Sequence, residues 1–185
     1  MSIIELKNVS KTYGEGEIAV HALRGVDLSI EKGDFVAVAG PSGSGKSTML
    51  NIMSGLDRPT MGQCHIGGTE ITSLSSNALS KLRLEKVGFI FQAYNLLPVL
   101  TAIENTEYVM MMQGVPAKER AEKAKAILAR VGLEGKGDRF PHELSGGQQQ
   151  RVAVARAIVS EPSLVLADEP TANLDSETGY ALMDL

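Results

Sequence analysis

Apolar residues along this chain alternate with polar ones, then run together, then recur at helical spacing, and each change of period marks an element. Residues 3–9 read as a strand. Val26, Leu28 and Ile30 alternate with Gly25, Asp27 and Ser29, which predicts a strand with one face inward. Residues 35–39 are apolar throughout, the pattern of a central parallel strand covered on both faces. A helix opens at Ser47 and stops at Gly55, before the turn Asp57-Arg58-Pro59. Residues 63–66 and 69–71 flank Gly67-Gly68 as a hairpin. Residues 87–91 form a further strand that ends at Gln92.

From about residue 101 to 160 the period becomes helical. A helix is predicted over 104–113, ending at Gly114. Pro116 suits the start of a second helix over 117–131, with Ala121, Ala124, Leu128 and Val131 on one face and Gly132 as its cap. Ser145 suits the N-cap of a third helix over 146–159. Residues 164–167 then form a buried strand closed by Asp168-Glu169-Pro170. The outline is a single α/β domain, with a core over about 1–100 and 161–185 and a helical subdomain over about 101–160.

Composition narrows the class. The 185 residues suffice to bury one core, and 43% hydrophobic with 22% charged residues is ordinary for a soluble globular chain. A net charge of −4 opposes general nucleic-acid binding. The single Cys64 cannot form an internal disulfide, and no Cys and His have zinc spacing, which fits a reducing compartment. No apolar run approaches a membrane span and no signal peptide is visible. The expectation is a chain that docks on a membrane partner without crossing the bilayer.

Three segments carry chemistry. Residues 40–48, Gly-Pro-Ser-Gly-Ser-Gly-Lys-Ser-Thr, have the spacing of a phosphate-binding loop. Gly40, Gly43 and Gly45 free the backbone, so that amides from Ser42, Ser44 and their neighbours can converge on phosphate oxygens at a helix start. Lys46 can reach the β- and γ-phosphates, Ser47 can ligate Mg²⁺, and Thr48 continues the helix. Alone, the loop says only nucleoside triphosphate. Asp168 and Glu169, following four apolar residues, suit a Mg²⁺ shell and a general base or water-positioning group, or else two solvated acids at a strand end. Leu144-Ser145-Gly146-Gly147-Gln148 is either a second anion cradle or a plain N-cap. With two cradles and one acid pair, two copies placed head to tail would bring both cradles to one nucleotide.

In combination these motifs resemble the ATP-binding cassette (ABC) ATPase, over nearly every residue from 3 to 185. The phosphate loop, the signature motif at 144–148, the acidic strand at 164–169, a glutamine loop at Gln92 and an interface loop at Ala172-Asn173-Leu174-Asp175 all match. The resemblance implies a phosphate-loop NTPase fold with a RecA-like mixed sheet, an antiparallel β subdomain and a helical insert carrying the signature. It implies that Tyr13 stacks on adenine, that residues 42–48 hold the phosphates of ATP, and that Ser47, Gln92 and Asp168 complete the Mg²⁺ shell. Glu169 polarises the attacking water. Ser145, Gly147 and Gln148 approach the γ-phosphate of ATP on a second copy in a homodimer, with Asp175 at the interface.

Residues 50–60, Leu97-Pro98, 100–105 and Ala167 are similar to the lipoprotein-release and macrolide-export group. Partners implied are an integral-membrane permease and a second ATPase subunit, with no nucleic acid, at the cytoplasmic face of the cell membrane. The alternative is a regulatory subunit that signals through a permease-like partner to cell-wall enzymes. DNA-repair relatives carry long coiled coils or zinc modules between the phosphate loop and the signature, and the stretch from Gln92 to Ser145 has neither sustained heptads nor cysteine pairs.

The family pattern also has a histidine on the strand after the interface loop. None follows Glu169, and residues 180–185 read as a helix cut short, so the chain is expected to be C-terminally truncated and weak in hydrolysis. Three further features are given structural roles: Met110-Met111-Met112 as core filling, residues 118–125 as a solvated helix face, and Arg151 and Arg156 as supports of the signature helix.

Overall fold

The computed structural model of the chain describes residues 2–171 and Gly179. The interface loop at 172–175, including Asp175, and the helix expected at 180–185 lie outside the described residues. Two units, 1–83 and 84–185, each hold together by their own contacts.

In the first unit an antiparallel sheet has the order β2-β1-β3-β4, formed by β1 (Ser2–Tyr13), β2 (Val20–Glu31), β3 (Met61–Ile66) and β4 (Thr69–Glu70). Ile4 and Leu6 point inward at strand period, the pairing with β2 slips, and burial resumes at Val9. At this bulge Asn8 takes φ 48 and its N–H donates to the Asp27 carboxylate at 2.8 Å. Helix α1 (Lys46–Met53) packs on β1, β2 and β3 through Leu50, Ile52 and Met53. Each such buried aliphatic side chain contributes about 1.5–3 kcal/mol.

Both long strands outrun the apolar pattern. β1 was expected over 3–9 and the second strand over 26–30, yet their antiparallel pairing continues to Tyr13 opposite Val20. Ladder hydrogen bonds hold these polar extensions, and apolar periodicity does not report ladder hydrogen bonds. The hairpin at Gly67-Gly68 forms as expected.

The expected central strand over 35–39 does not form. These residues belong to no ladder among the described residues, and Phe35 is 81% exposed, with Val36 and Val38 also exposed. An apolar run becomes a strand only where partners accept its backbone N–H and C=O groups. Here composition asks for burial on both faces, and among the described residues no paired neighbour supplies it.

Helix α2 (Ser76–Lys86) had no counterpart among the expected elements. It buries only Leu79 and Leu82, so its apolar stripe is too thin to see. A signal was present in Ser75, whose hydroxyl accepts from the Ala78 N–H at 3.3 Å.

In the second unit, β5 (Val87–Ile90) and β6 (Leu164–Ala167) pair in parallel, Val87 opposite Leu164 through Ile90 opposite Ala167. Helices α3 (Ala102–Met112), α4 (Ala117–Arg130) and α5 (Gly146–Ile158) share one core that includes Met110, Leu128, Leu133 and Val152. Gly88 lets β5 lie against α5, because a Cβ there would stand 2.2 Å from the Ala157 carbonyl oxygen. Thr101 and Glu104 form a capping box on α3. The solvated face of α4 carries the i,i+4 pair Glu119–Lys123 at 2.8 Å. Of the methionine triplet only Met110 fills core; Met111 and Met112 are exposed, because one helix face cannot bury three successive residues.

Candidate nucleotide site

The phosphate loop leaves β2 through a turn at Gly33 and closes at 40–45, where the Ser44 N–H meets the Pro41 carbonyl at 3.3 Å. Gly45 is the N-cap of α1 at φ 92, in the left-handed region that L side chains avoid. A Cβ at this position would lie 2.4 Å from the Ala22 carbonyl oxygen on β2. No side chain caps α1. Such a start, at the positive end of the helix, suits an anionic ligand. The Lys46 ammonium folds back and donates to the Gly40 and Pro41 carbonyl oxygens, both at 2.9 Å. Phosphate oxygens carry more charge than those carbonyls and would compete well for the same donors.

Tyr13, at the end of β1, is 41% exposed. Its hydroxyl donates to Asp57 Oδ2 at 2.7 Å, and a second side-chain hydrogen bond comes from Thr48 on α1. Lys11 Nζ lies 4.8 Å from the Tyr13 ring centroid, and it donates to Asp57 Oδ1 and the Arg58 carbonyl, each at 2.7 Å. Burial first, then Asp57, push the Tyr13 phenol above its ordinary value; Thr48 opposes them. For Asp57, burial acts upward as the largest single influence. Lys11, Tyr13 and the Arg58 N–H together outweigh it and hold the carboxyl below its ordinary value.

In the second unit, the acids sit where parallel strands end. The Asp168 N–H donates to the Ile90 carbonyl at 3.0 Å, which continues the β5–β6 register and places Asp168 and Gln92 at neighbouring carboxyl ends. Such ends are where open α/β sheets bind ligands. Gln92 Nε2 donates to Glu169 Oε2 at 2.8 Å. Glu169 takes φ 46, a conformation unusual for a residue with a side chain. Gln150 on α5 holds the next residue, donating to the Pro170 carbonyl at 2.7 Å.

The signature segment opens α5 with Ser145 as N-cap. The Gln148 N–H donates to Ser145 Oγ at 3.3 Å, and Gln148 Oε1 accepts from the Ser145 N–H at 3.1 Å. This reciprocal capping box is the plain cap of the sequence reading, with Gly146 exposed and Gly147 half-buried at the same helix start. Tyr94 approaches this start closely, since a Cβ on Gly146 would lie 3.1 Å from its hydroxyl. Arg156 reaches back to the Tyr94 carbonyl at 2.8 Å and the Asn95 carbonyl at 2.6 Å. It fastens the left-handed turn at Tyr94 and Asn95, two residues beyond Gln92.

Sequence reasoning named Gln92, Asp168, Glu169, Ser145, Gln148 and Lys46; the structure brings Gln92 to Glu169 and Ser145 to Gln148. Sequence reasoning missed Lys11 and Asp57 around Tyr13, and the hold of Arg156 and Gln150 on the segments that follow Gln92 and Glu169. A lysine two residues before an aromatic on one strand was the available signal for the first. The others arise from residues far apart in sequence.

Cys64 has no place in this chemistry: it is buried, and burial pushes its thiol up to about 12. Among the described residues no helix is long and apolar enough to cross a membrane.

A glycine-built phosphate cradle, an acidic pair at parallel strand ends and a capped Ser-Gly-Gly helix start make this a nucleotide-binding α/β ATPase chain. The ABC transporter family pattern matches residues 23–172. The chain is 51% identical over 183 residues to an uncharacterized ABC transporter ATP-binding protein of Thermotoga maritima, covering 99% of itself and 78% of that relative. It is 50% identical over 185 residues to the macrolide export ATP-binding/permease protein MacB of Aggregatibacter actinomycetemcomitans, of which it spans 29%. The solved dimer of the ATP-binding cassette MJ0796 in a post-hydrolysis state bound to ADP and Pi superposes with a TM-score of 0.92 at 46% identity, covering 98% of this chain and 80% of that one. That cassette comes from Methanocaldococcus jannaschii. This chain belongs to the ABC transporter family, as an ATP-binding ATPase domain homologous to ATP-hydrolysing cassettes.

Proposed function

We propose that this chain is the ATP-hydrolysing subunit of a membrane exporter or lipoprotein-release transporter, working as a head-to-tail homodimer with an integral-membrane permease at the cytoplasmic face. The observation that carries this reading is that one chain holds two differently built helix starts, at Gly45 and at Ser145, and one acid pair at Asp168 and Glu169. Relatives named for macrolide and pyoverdine export, each longer than this chain and carrying a permease, support the choice of partner.

Residues 42–48 bind the phosphates of ATP through backbone amides and Lys46, and Tyr13 stacks on the adenine. Ser47, Gln92 and Asp168 offer hydroxyl, amide and carboxylate oxygens, the hard donors that Mg²⁺ takes alongside phosphate and water. When bound, Mg²⁺ would neutralise charge on the phosphate oxygens. Glu169 orients and deprotonates the attacking water. Its hydrogen bond to Gln92 would hold its carboxylate in place until the nucleotide site closes. Ser145, Gly147 and Gln148 present hydroxyl and amide donors to the γ-phosphate held by the second copy, and Asp175 lies at that interface.

The test is Glu169→Gln. ATP turnover should fall by about 10²–10⁴-fold, and light scattering should show a dimer that requires ATP. A variant that stays monomeric with ATP and Mg²⁺ overturns the dimer mechanism. Unchanged turnover removes Glu169 from its role.

A further inference from the structure

Lys11 and Asp57 have no assigned role, yet they enclose the one aromatic side chain proposed to meet the nucleobase. The Lys11 ammonium stands over the Tyr13 ring at 4.8 Å from the centroid, so a cation occupies one ring face. That ammonium is itself fixed, with donors committed to Asp57 Oδ1 and the Arg58 carbonyl at 2.7 Å each. The Lys11 side chain is only 13% exposed, which makes it part of the packing and not a loose surface charge. Asp57 in turn takes the Tyr13 hydroxyl on its other oxygen at 2.7 Å. Thr48, the last residue of the phosphate loop, adds a hydrogen bond to the same hydroxyl. The ring is thus held at its face by Lys11 and at its tip by Asp57 and Thr48, while Tyr13 remains 41% exposed.

We propose that Lys11 and Asp57 are positioning residues for the nucleobase: together they hold the Tyr13 ring, close one of its faces and leave the other as the stacking surface for adenine. This rests on the reading of Tyr13 as the adenine-stacking residue. The physical gain is twofold. A ring already fixed at face and tip loses little further freedom when a base stacks on it. An ammonium on the far face draws π density away from the near one, which favours contact with an electron-rich purine.

Calorimetric titration with Mg-ATP and with Mg-tripolyphosphate, a base-free probe of the phosphate loop, separates the possibilities. Tyr13→Ala should weaken ATP by about tenfold or more, the loss of one base–aromatic stack, and leave tripolyphosphate unchanged. Lys11→Met and Asp57→Asn should each weaken ATP by about threefold to fivefold, again without affecting tripolyphosphate, and Lys11→Arg should restore binding by returning a cation to the ring face. Retained tripolyphosphate binding also shows that each variant is folded. If Tyr13→Ala weakens ATP while Lys11→Met and Asp57→Asn do not, the positioning role is overturned and the stacking reading stands. If Tyr13→Ala leaves ATP affinity unchanged, the stacking reading fails and takes the proposal with it. If Lys11→Met and Asp57→Asn weaken both probes equally, the cluster only supports the phosphate-loop fold, and the proposal is again overturned.

Discussion

Two helix starts in this molecule face the same chemical problem and solve it in opposite ways. At α1 the N-cap is Gly45, left-handed at φ 92, and no side chain caps the helix. At α5 the N-cap is Ser145, extended at φ −64 and ψ 160, and it closes a capping box with Gln148. The first start has no side-chain cap and depends on backbone shape. The second satisfies its amides internally and depends on side chains. At α5 an anion must compete with the Ser145 and Gln148 side chains for the same donors, whereas at α1 no capping side chain competes.

The sharpest way to break the contrast is at Gly45. Gly45→Ala combines an unfavourable φ with a Cβ 2.4 Å from the Ala22 carbonyl oxygen. ATP affinity should drop by about hundredfold or more, with a stability loss of about 1–3 kcal/mol, read by calorimetry and thermal melting. Wild-type affinity in this variant would show that the loop tolerates another backbone path.

The second start should respond to loss of side-chain partners instead. Arg156→Met removes two hydrogen bonds to the carbonyls of Tyr94 and Asn95. An expected cost of about 2 kcal/mol should appear in chemical denaturation, with faster amide exchange confined to the turn after Gln92. Exchange that stays slow there would mean the turn holds itself. Ser145→Ala removes the cap and should cost about 1 kcal/mol of stability, with ATP affinity of the isolated subunit unaltered. A large loss of monomeric ATP binding would contradict the assignment of this start to the second copy's nucleotide.

The smallest effect concerns acid. The Asp57 carboxyl is held below its ordinary value in the folded chain, so its ion pair stabilises the fold above the unfolded-state value. That contribution is lost as pH falls through the lower folded value. Since Asp57 is partly exposed, it is worth less than about 1 kcal/mol. Asp57→Asn should flatten the decline in stability below about pH 4, where carboxylates titrate. An identical acid profile in wild type and variant would rule out this linkage.

Much of this was legible in order along the chain. The spacing of Gly40, Gly43, Gly45 and Lys46 encodes a cradle because adjacent backbone positions make it. The Ser145–Gln148 box was legible because both partners lie within one helical turn. The partners of Tyr13 were not, because Lys11 is local but Asp57 lies 44 residues from Tyr13. Nor was the hold of Arg156 on Tyr94, which spans 62 residues. Residues 35–39 show the converse. Their apolar run predicts burial, and it cannot say whether a paired strand will be there to receive it.

By itself, then, the sequence determined the family, the phosphate loop, the helix caps and the acid pair, since each is written within a few consecutive residues whose conformations follow from glycine, capping and strand period. Only the tertiary structure decided that Gln92 meets Glu169, that Arg156 secures the turn beyond Gln92, and that Lys11 and Asp57 fix the Tyr13 ring. Those contacts join elements distant along the chain. They depend on how the sheets and helices pack, and no local preference of backbone or side chain specifies them.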